Sequence, residues 1–156
     1  MELVFICTGN VCRSSMAEGL ARHMWEERWG ARRDLTVSSA GVAAWPGETA
    51  SPQAVFALGE KGIDLRDHRS RPLSSEIMDQ AGLILAMTRS HKEIILEHFP
   101  EASNKVFMLA EYAGLGEKDV KDPYGESRIV YQACAEELAT MITLVLERIA
   151  RESGVA

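Results

Sequence analysis

Leu3-Val4-Phe5-Ile6 is an unbroken apolar run with the length and β-branched or aromatic content of a buried strand. After it the period changes. Met16, Ala17, Leu20, Ala21, Met24 and Trp25 recur at helical spacing and predict a helix over residues 15–29, with Ser15-Met16-Ala17-Glu18 as its capping box. The alternation continues down the chain. Further strands are predicted at 35–39, 83–87 and 105–109, and helices at 52–61, 74–80, 90–99 and 127–151. The last helix carries the apolar stripe Leu138, Ile142, Val145 and Ile149, the pattern of a core-facing helix. Alternating strands and helices predict an α/β fold: a doubly wound, parallel four-stranded sheet with helices on both faces. At 156 residues the chain suits one domain over 1–156, and no repeat, low-complexity tract or linker divides it.

Composition narrows the setting. A net charge of −6 argues against a nucleic-acid partner. The 46% apolar share is spread in short runs, none approaching the length of a membrane span, so no membrane partner is expected. A core strand beginning at residue 2 or 3 leaves no room for a signal peptide. Three cysteines with no paired framework and no four-ligand metal set fit reduced thiols, and the expectation is a cytoplasmic protein without metal. Arg66, Arg69 and Arg71 are interspersed with an acid and read as a solvated face.

The chemistry concentrates where the first strand meets the first helix, in Cys7-Thr8-Gly9-Asn10-Val11-Cys12-Arg13-Ser14. A loop at such a junction aims free backbone N–H groups and the positive end of a helix dipole at one spot, which holds a phosphate-like dianion. In that field, beside Arg13, Cys7 is expected as a thiolate that can form a covalent thiophosphate. Arg13 offers a planar, permanently charged fork that matches two phosphoryl oxygens. Gly9 permits a backbone conformation that a side chain would forbid. Ser14 can donate its hydroxyl to the thiolate, and the loop as a whole would stabilise charge on the transferring group. A Cys-x5-Arg spacing alone is a weak motif, and cysteine is commonly an inert buried hydrophobe. The strand before, the helix after, the internal glycine and the absence of acids in the loop favour the reactive reading. Transfer from an oxygen ester also needs a proton donor. Asp122, in the turn Asp122-Pro123-Tyr124-Gly125, is the best candidate, although an Asp-Pro turn is often only a turn.

Taken together these segments resemble the low-molecular-weight protein-tyrosine phosphatases. The matching stretches are Val4 to Ser14, then Ser39-Ala40-Gly41, then Gly62-Ile63-Asp64-Leu65 with His68, then Asp122 to Gly125, in order over nearly the whole chain. The resemblance implies Cys7 as nucleophile, Arg13 as phosphate clamp, and Asp122 as general acid and then base for the hydrolytic water. It implies a scaffold of Asn10, Ser39 and His68 that holds the loop in a strained shape. Thr8, Gly9, Asn10, Val11, Cys12 and Ser14 would surround the substrate phosphate, with Trp45 and Tyr124 as pocket walls. The substrate would be a phosphorylated protein, inorganic phosphate and other oxyanions would occupy the loop, and no cofactor is implied. Without the family, His68 reads as a surface histidine and Ser39 as a strand-end residue. Two departures stand out: Ser15 replaces the usual proline after Arg-Ser, and Tyr124 stands where many members have two tyrosines. The family commonly has the second loop cysteine. A reversible Cys7–Cys12 disulfide that shields the thiolate from overoxidation and a plain packing role for Cys12 both remain open. Cys134 reads as structural.

A bacterial branch of the family acts on phosphoarginine, and Cys7-Thr8-Gly9-Asn10 with Ser39-Ala40-Gly41-Val42 resembles that branch too. Its members have threonine where this chain has Val11, and something smaller where it has Trp45. An aliphatic residue and a flat aromatic wall favour phosphotyrosine. An arsenate reductase would need a pair of resolving cysteines downstream of the loop, and only Cys134 follows Cys12. A phosphopeptide-binding module would lack the nucleophile, arginine or acid, all of which are present. No Gly-x-Gly-x-x-Gly or Walker-type run follows Ile6 to suggest a nucleotide site.

Overall fold

The computed structural model describes residues 1–30 and 35–154, so residues 31–34 and 155–156 of the 1–156 span lie outside the described residues. Four strands, β1 (Glu2–Cys7), β2 (Thr36–Gly41), β3 (Leu83–Ala86) and β4 (Val106–Met108), pair in parallel in the order β2-β1-β3-β4. The helices are α1 (Arg13–Trp29), α2 (Pro52–Gly59), α3 (Ser75–Gln80), α4 (Arg89–His98), α5 (Leu109–Tyr112) and α6 (Arg128–Glu152).

β1 is flanked on both sides: Cys7 pairs with Gly41 of β2, and Ile6 with Ala86 of β3. A strand covered on both edges and both faces must be apolar throughout, which is why residues 3–6 show no alternation. Its side chains divide two cores. Leu3, Phe5 and Cys7 enter the larger one with Met16, Leu20, Leu58, Leu138, Ile142 and Val145. Val4 and Ile6 enter the smaller one with Met78, Ile84, Ile95 and Val106. Helices α1, α2 and α6 thus cover one face, and α3 and α4 the other. The chain passes from β1 to β2 on one side and then returns to β3 on the other. The loops after β1 and β3 therefore flank a crevice at the carboxyl ends of these strands, the usual ligand position in such sheets.

Most element ends fall within a residue or two of expectation, and the exceptions have physical causes. α1 begins at Arg13 rather than Ser15, because the Cys12 carbonyl already accepts the Met16 N–H at 3.0 Å and the Ser15 hydroxyl at 2.9 Å. The expected capping box does not form. Glu18 instead accepts from the Ser39 hydroxyl at 2.6 Å and from Arg22 at 2.8 Å. The four residues of α5 are too few to show a period and have no counterpart among the predicted helices. By length and composition α6 could cross a membrane, contrary to the expectation that no segment approaches a span. Its stripe Leu138, Ile142, Val145 and Ile149 is buried in the larger core. Full burial of each such side chain contributes about 1.5–3 kcal/mol, which is what holds the helix against the sheet.

Candidate active site

The loop after β1 is shaped by one residue. Among the described residues, Asn10 alone combines a side chain with a positive φ, 60°. The special backbone expected at Gly9 falls instead on Asn10; a Cβ on Gly9 would meet only Val11, at 3.8 Å. Asn10 is held from four directions. Its Nδ2 donates to Ser14 Oγ and Ser39 Oγ, both at 2.8 Å. Its Oδ1 accepts the Arg71 N–H at 3.0 Å, and its carbonyl accepts His68 Nε2 at 2.6 Å. Such over-determination is what keeps a left-handed residue in place. Arg71, exposed like Arg66 and Arg69 as expected of a solvated face, also donates Nε to the Ser39 carbonyl at 2.9 Å and so braces this scaffold.

These bonds form one connected network. Ser39 and Ser14 each accept one hydrogen of the Asn10 amide. Ser39 then donates to Glu18, and Ser14 has its own proton for Cys7 Sγ, 2.8 Å away. The Asn10 N–H points at the same sulfur at 3.3 Å. A buried sulfur receiving two donors is in the setting expected of a nucleophile.

Arg13, only 5% exposed, donates Nη1 to the Val120 carbonyl at 3.0 Å, and its Nη2 lies 3.4 Å from Asp122 Oδ2. Its Nε is buried with no partner among the described residues. A buried guanidinium N–H without an acceptor is costly unless a ligand completes it, and an oxyanion does so. Asp122 is half exposed, and its Oδ1 accepts the Tyr124 N–H at 3.1 Å, so the turn aims the other carboxylate oxygen inward.

The remaining expected residues lie as follows. Val11 is half-buried against the larger core. Trp45 and Tyr124 are 74% and 71% exposed, on the segments after β2 and before α6. Cys12 Sγ lies 3.1 Å from Tyr131 Oη and 3.4 Å from Ser51 Oγ, and burial pushes the thiol up. Burial pushes Cys134 up to about 12, as befits a structural thiol.

Sequence reasoning missed His91. Its Nε2 is 2.8 Å from Thr8 Oγ1 and its Nδ1 is 2.9 Å from Thr88 Oγ1, while the Thr88 hydroxyl caps α4 by accepting the His91 N–H at 3.1 Å. Burial, and then the nearby Arg13 charge, pushes the imidazole down to about 4. A Thr-x-x-His spacing after a predicted strand, next to the crevice, was the available signal.

An anion cradle at the crevice of a doubly wound sheet, with a thiol at its base and a carboxylate at its rim, defines a phosphatase. The chain belongs to the low molecular weight phosphotyrosine protein phosphatase family, whose model matches residues 2–155. It is 43% identical over 152 residues to a protein-arginine-phosphatase of Bacillus subtilis, covering 97% of this chain and 99% of that one. Among solved structures it is similar to the YwlE arginine phosphatase, in a mutant with a phosphorylated active site serine, with TM-score 0.93 and 41% identity over 100% of both chains. It is also similar to the tyrosine phosphatase Wzb from Escherichia coli K30, in complex with sulphate, with TM-score 0.83 and 30% identity over 95% of this chain and 97% of that one.

Proposed function

We propose that this chain, folded as one domain, hydrolyses phosphotyrosine in phosphorylated proteins of the cytoplasm through a cysteinyl-phosphate. Cys7 Sγ attacks phosphorus, and Arg13 with the loop amides of residues 8–14 holds the phosphoryl oxygens. Asp122 protonates the leaving phenolate oxygen and then takes a proton from the hydrolytic water. The observation that carries the reading is the hydrogen-bonded chain linking Glu18, Ser39, Asn10, Ser14 and Cys7 Sγ, together with an Arg13 Nε buried without a partner among the described residues. The chain steadies the sulfur as attacking and leaving group, and the buried Arg13 N–H can donate to a phosphoryl oxygen. Inorganic phosphate and similar oxyanions would compete for the same cradle. A thiol nucleophile needs a reducing compartment, which supports the cytoplasmic assignment.

Val11 supports the aromatic substrate, since an aliphatic side chain at that loop position offers no hydroxyl to a guanidinium-borne phosphate. Similarity supports a second reading, since identity is 43% to the Bacillus subtilis arginine phosphatase. The deciding measurement is kcat/KM for matched phosphotyrosine and phosphoarginine peptides under reducing conditions. A phosphotyrosine preference supports the reading, whereas a phosphoarginine preference replaces it by the second with the same machinery. Val11→Thr should raise the phosphoarginine-to-phosphotyrosine ratio about tenfold, the worth of about one hydrogen bond. Cys7→Ser should abolish turnover while still binding phosphate or tungstate. Asp122→Ala should slow substrates with poor leaving groups most. Near-native turnover in Cys7→Ser would refute the covalent route, and equal losses for good and poor leaving groups would assign the acid elsewhere.

A further inference from the structure

We propose that Thr8 is a positioning residue for the water that hydrolyses the cysteinyl-phosphate, and that His91 sets Thr8 in that role. The inference rests on the covalent route through Cys7. Of the two hydroxyls in residues 7–14, Ser14 is fully buried and committed to Cys7, whereas Thr8 is exposed at the mouth of the cradle. Val11 brings no hydroxyl, so Thr8 is the loop's one hydroxyl open to a water.

The α4 cap offers His91 a proton donor on one side. Thr88 Oγ1 already accepts the His91 N–H, and its own proton has His91 Nδ1 as acceptor at 2.9 Å. In the arrangement we propose, Nδ1 takes that proton and the neutral ring carries its own on Nε2. Nε2–H donates to Thr8 Oγ1. This leaves Thr8 one lone pair and one proton, both directed away from His91. A doubly protonated ring would give up the hydrogen bond from Thr88 to Nδ1, and burial disfavours its charge.

The same segment also ties down the acid. The Val120 N–H donates to the Met87 carbonyl at 2.9 Å, and the Arg89 N–H donates to Asp119 Oδ1 at 2.9 Å. Residues 87–91 therefore anchor the turn that leads to Asp122 on one side and Thr8 on the other. A water between them can give one hydrogen to the Asp122 carboxylate and the other to the free lone pair of Thr8. Its own lone pair then faces phosphorus, and the Thr8 proton is available to a phosphoryl oxygen. As the water attacks, the P–O bond forms and the P–S bond breaks. Cys7 leaves as thiolate with the bonding pair, and Asp122 takes the water proton. Two fixed acceptors convert a diffusing nucleophile into an oriented one.

Stopped-flow kinetics with p-nitrophenyl phosphate separates the two steps, because kcat/KM reports thiolate attack and kcat reports hydrolysis when phosphoenzyme accumulates. Thr8→Val should lower kcat about tenfold, leave kcat/KM within about twofold, and show a nitrophenolate burst close to one per enzyme. Thr8→Ser should keep native kcat. His91→Leu should reproduce Thr8→Val, and the double variant should fall no further, since the two act as a unit. Thr8 is exposed, so its variants remain decisive if His91→Leu does not fold. An unchanged kcat in Thr8→Val, an equal fall in kcat and kcat/KM, no rescue by serine, or additive losses would overturn the proposal. Turnover persisting in Cys7→Ser would instead remove the covalent route on which it stands.

Discussion

Burial and the Arg13 guanidinium push His91 down to about 4, against the opposing pull of Asp119 and Asp122. In the unfolded chain the ring titrates near its ordinary ~6.5. Between these values the unfolded state binds the extra proton, so stability rises with pH across that window and is lost as pH falls through it. The full effect is about 3 kcal/mol, of which most has gone by pH 4. Urea unfolding of the native chain and of His91→Gln between pH 7 and 4.5 checks this: the stability gap should shrink as pH falls. A pH-independent gap would mean that the ring titrates alike in the folded and unfolded chain. His91 also marks the edge of what sequence could reveal. Cys7 and Arg13 stand out by type, spacing and setting, and Asp122, Ser39 and His68 through the family pattern. His91 lies 84 positions from Cys7 and meets Thr8 only because β3 pairs beside β1.

Gly41, at the carboxyl end of β2, shows how one element seats another. A Cβ there would lie 2.4 Å from the Thr8 carbonyl oxygen and 3.1 Å from the Asn10 nitrogen, both backbone atoms that cannot step aside. Gly41 lets β2 run close enough for Val42 and Ala43 to donate to the Cys7 and Thr8 carbonyls, each at 3.0 Å. Gly41→Ala should therefore cost about 1–3 kcal/mol of stability through overpacking and displace the loop. The phosphate inhibition constant should rise well beyond what the lost stability explains, and an unchanged constant would show that the loop holds its shape without this contact. The alternation that made β1, β3 and α6 readable could not foresee this approach, because glycine leaves no mark of period. For the same reason the start of α1 was misplaced: Ser15 looked like a cap, yet the Cys12 carbonyl already carries the helix's first bond. Local side-chain patterns lose to backbone bonds that a strained loop has set in advance.

At the scale of the whole molecule a negative protein must admit a negative ligand. The chain carries a net charge of −6, with 23 acidic against 17 basic residues, while in the proposed route Arg13 and the first-turn amides of α1 would hold the phosphate. The local field acts within a few ångströms and is the same for every phosphopeptide. The global field reaches the residues that flank the phosphorylated side chain and depends on their sign. Ionic strength separates the two, because the Debye length shrinks from about 30 Å at 0.01 M to about 8 Å at 0.15 M. For matched phosphopeptides with acidic or basic flanks, salt should relieve repulsion of the first and screen attraction of the second. The acidic-to-basic ratio of kcat/KM should then rise several-fold over that range, even as both rates lose some of the shared attraction to Arg13. A ratio that stays flat would mean that the flanks lie where charges at the mouth, such as Arg13 and Asp122, cancel the field of the remainder. Substrate choice would then rest on the shape of the walls, including Val11, and not on charge.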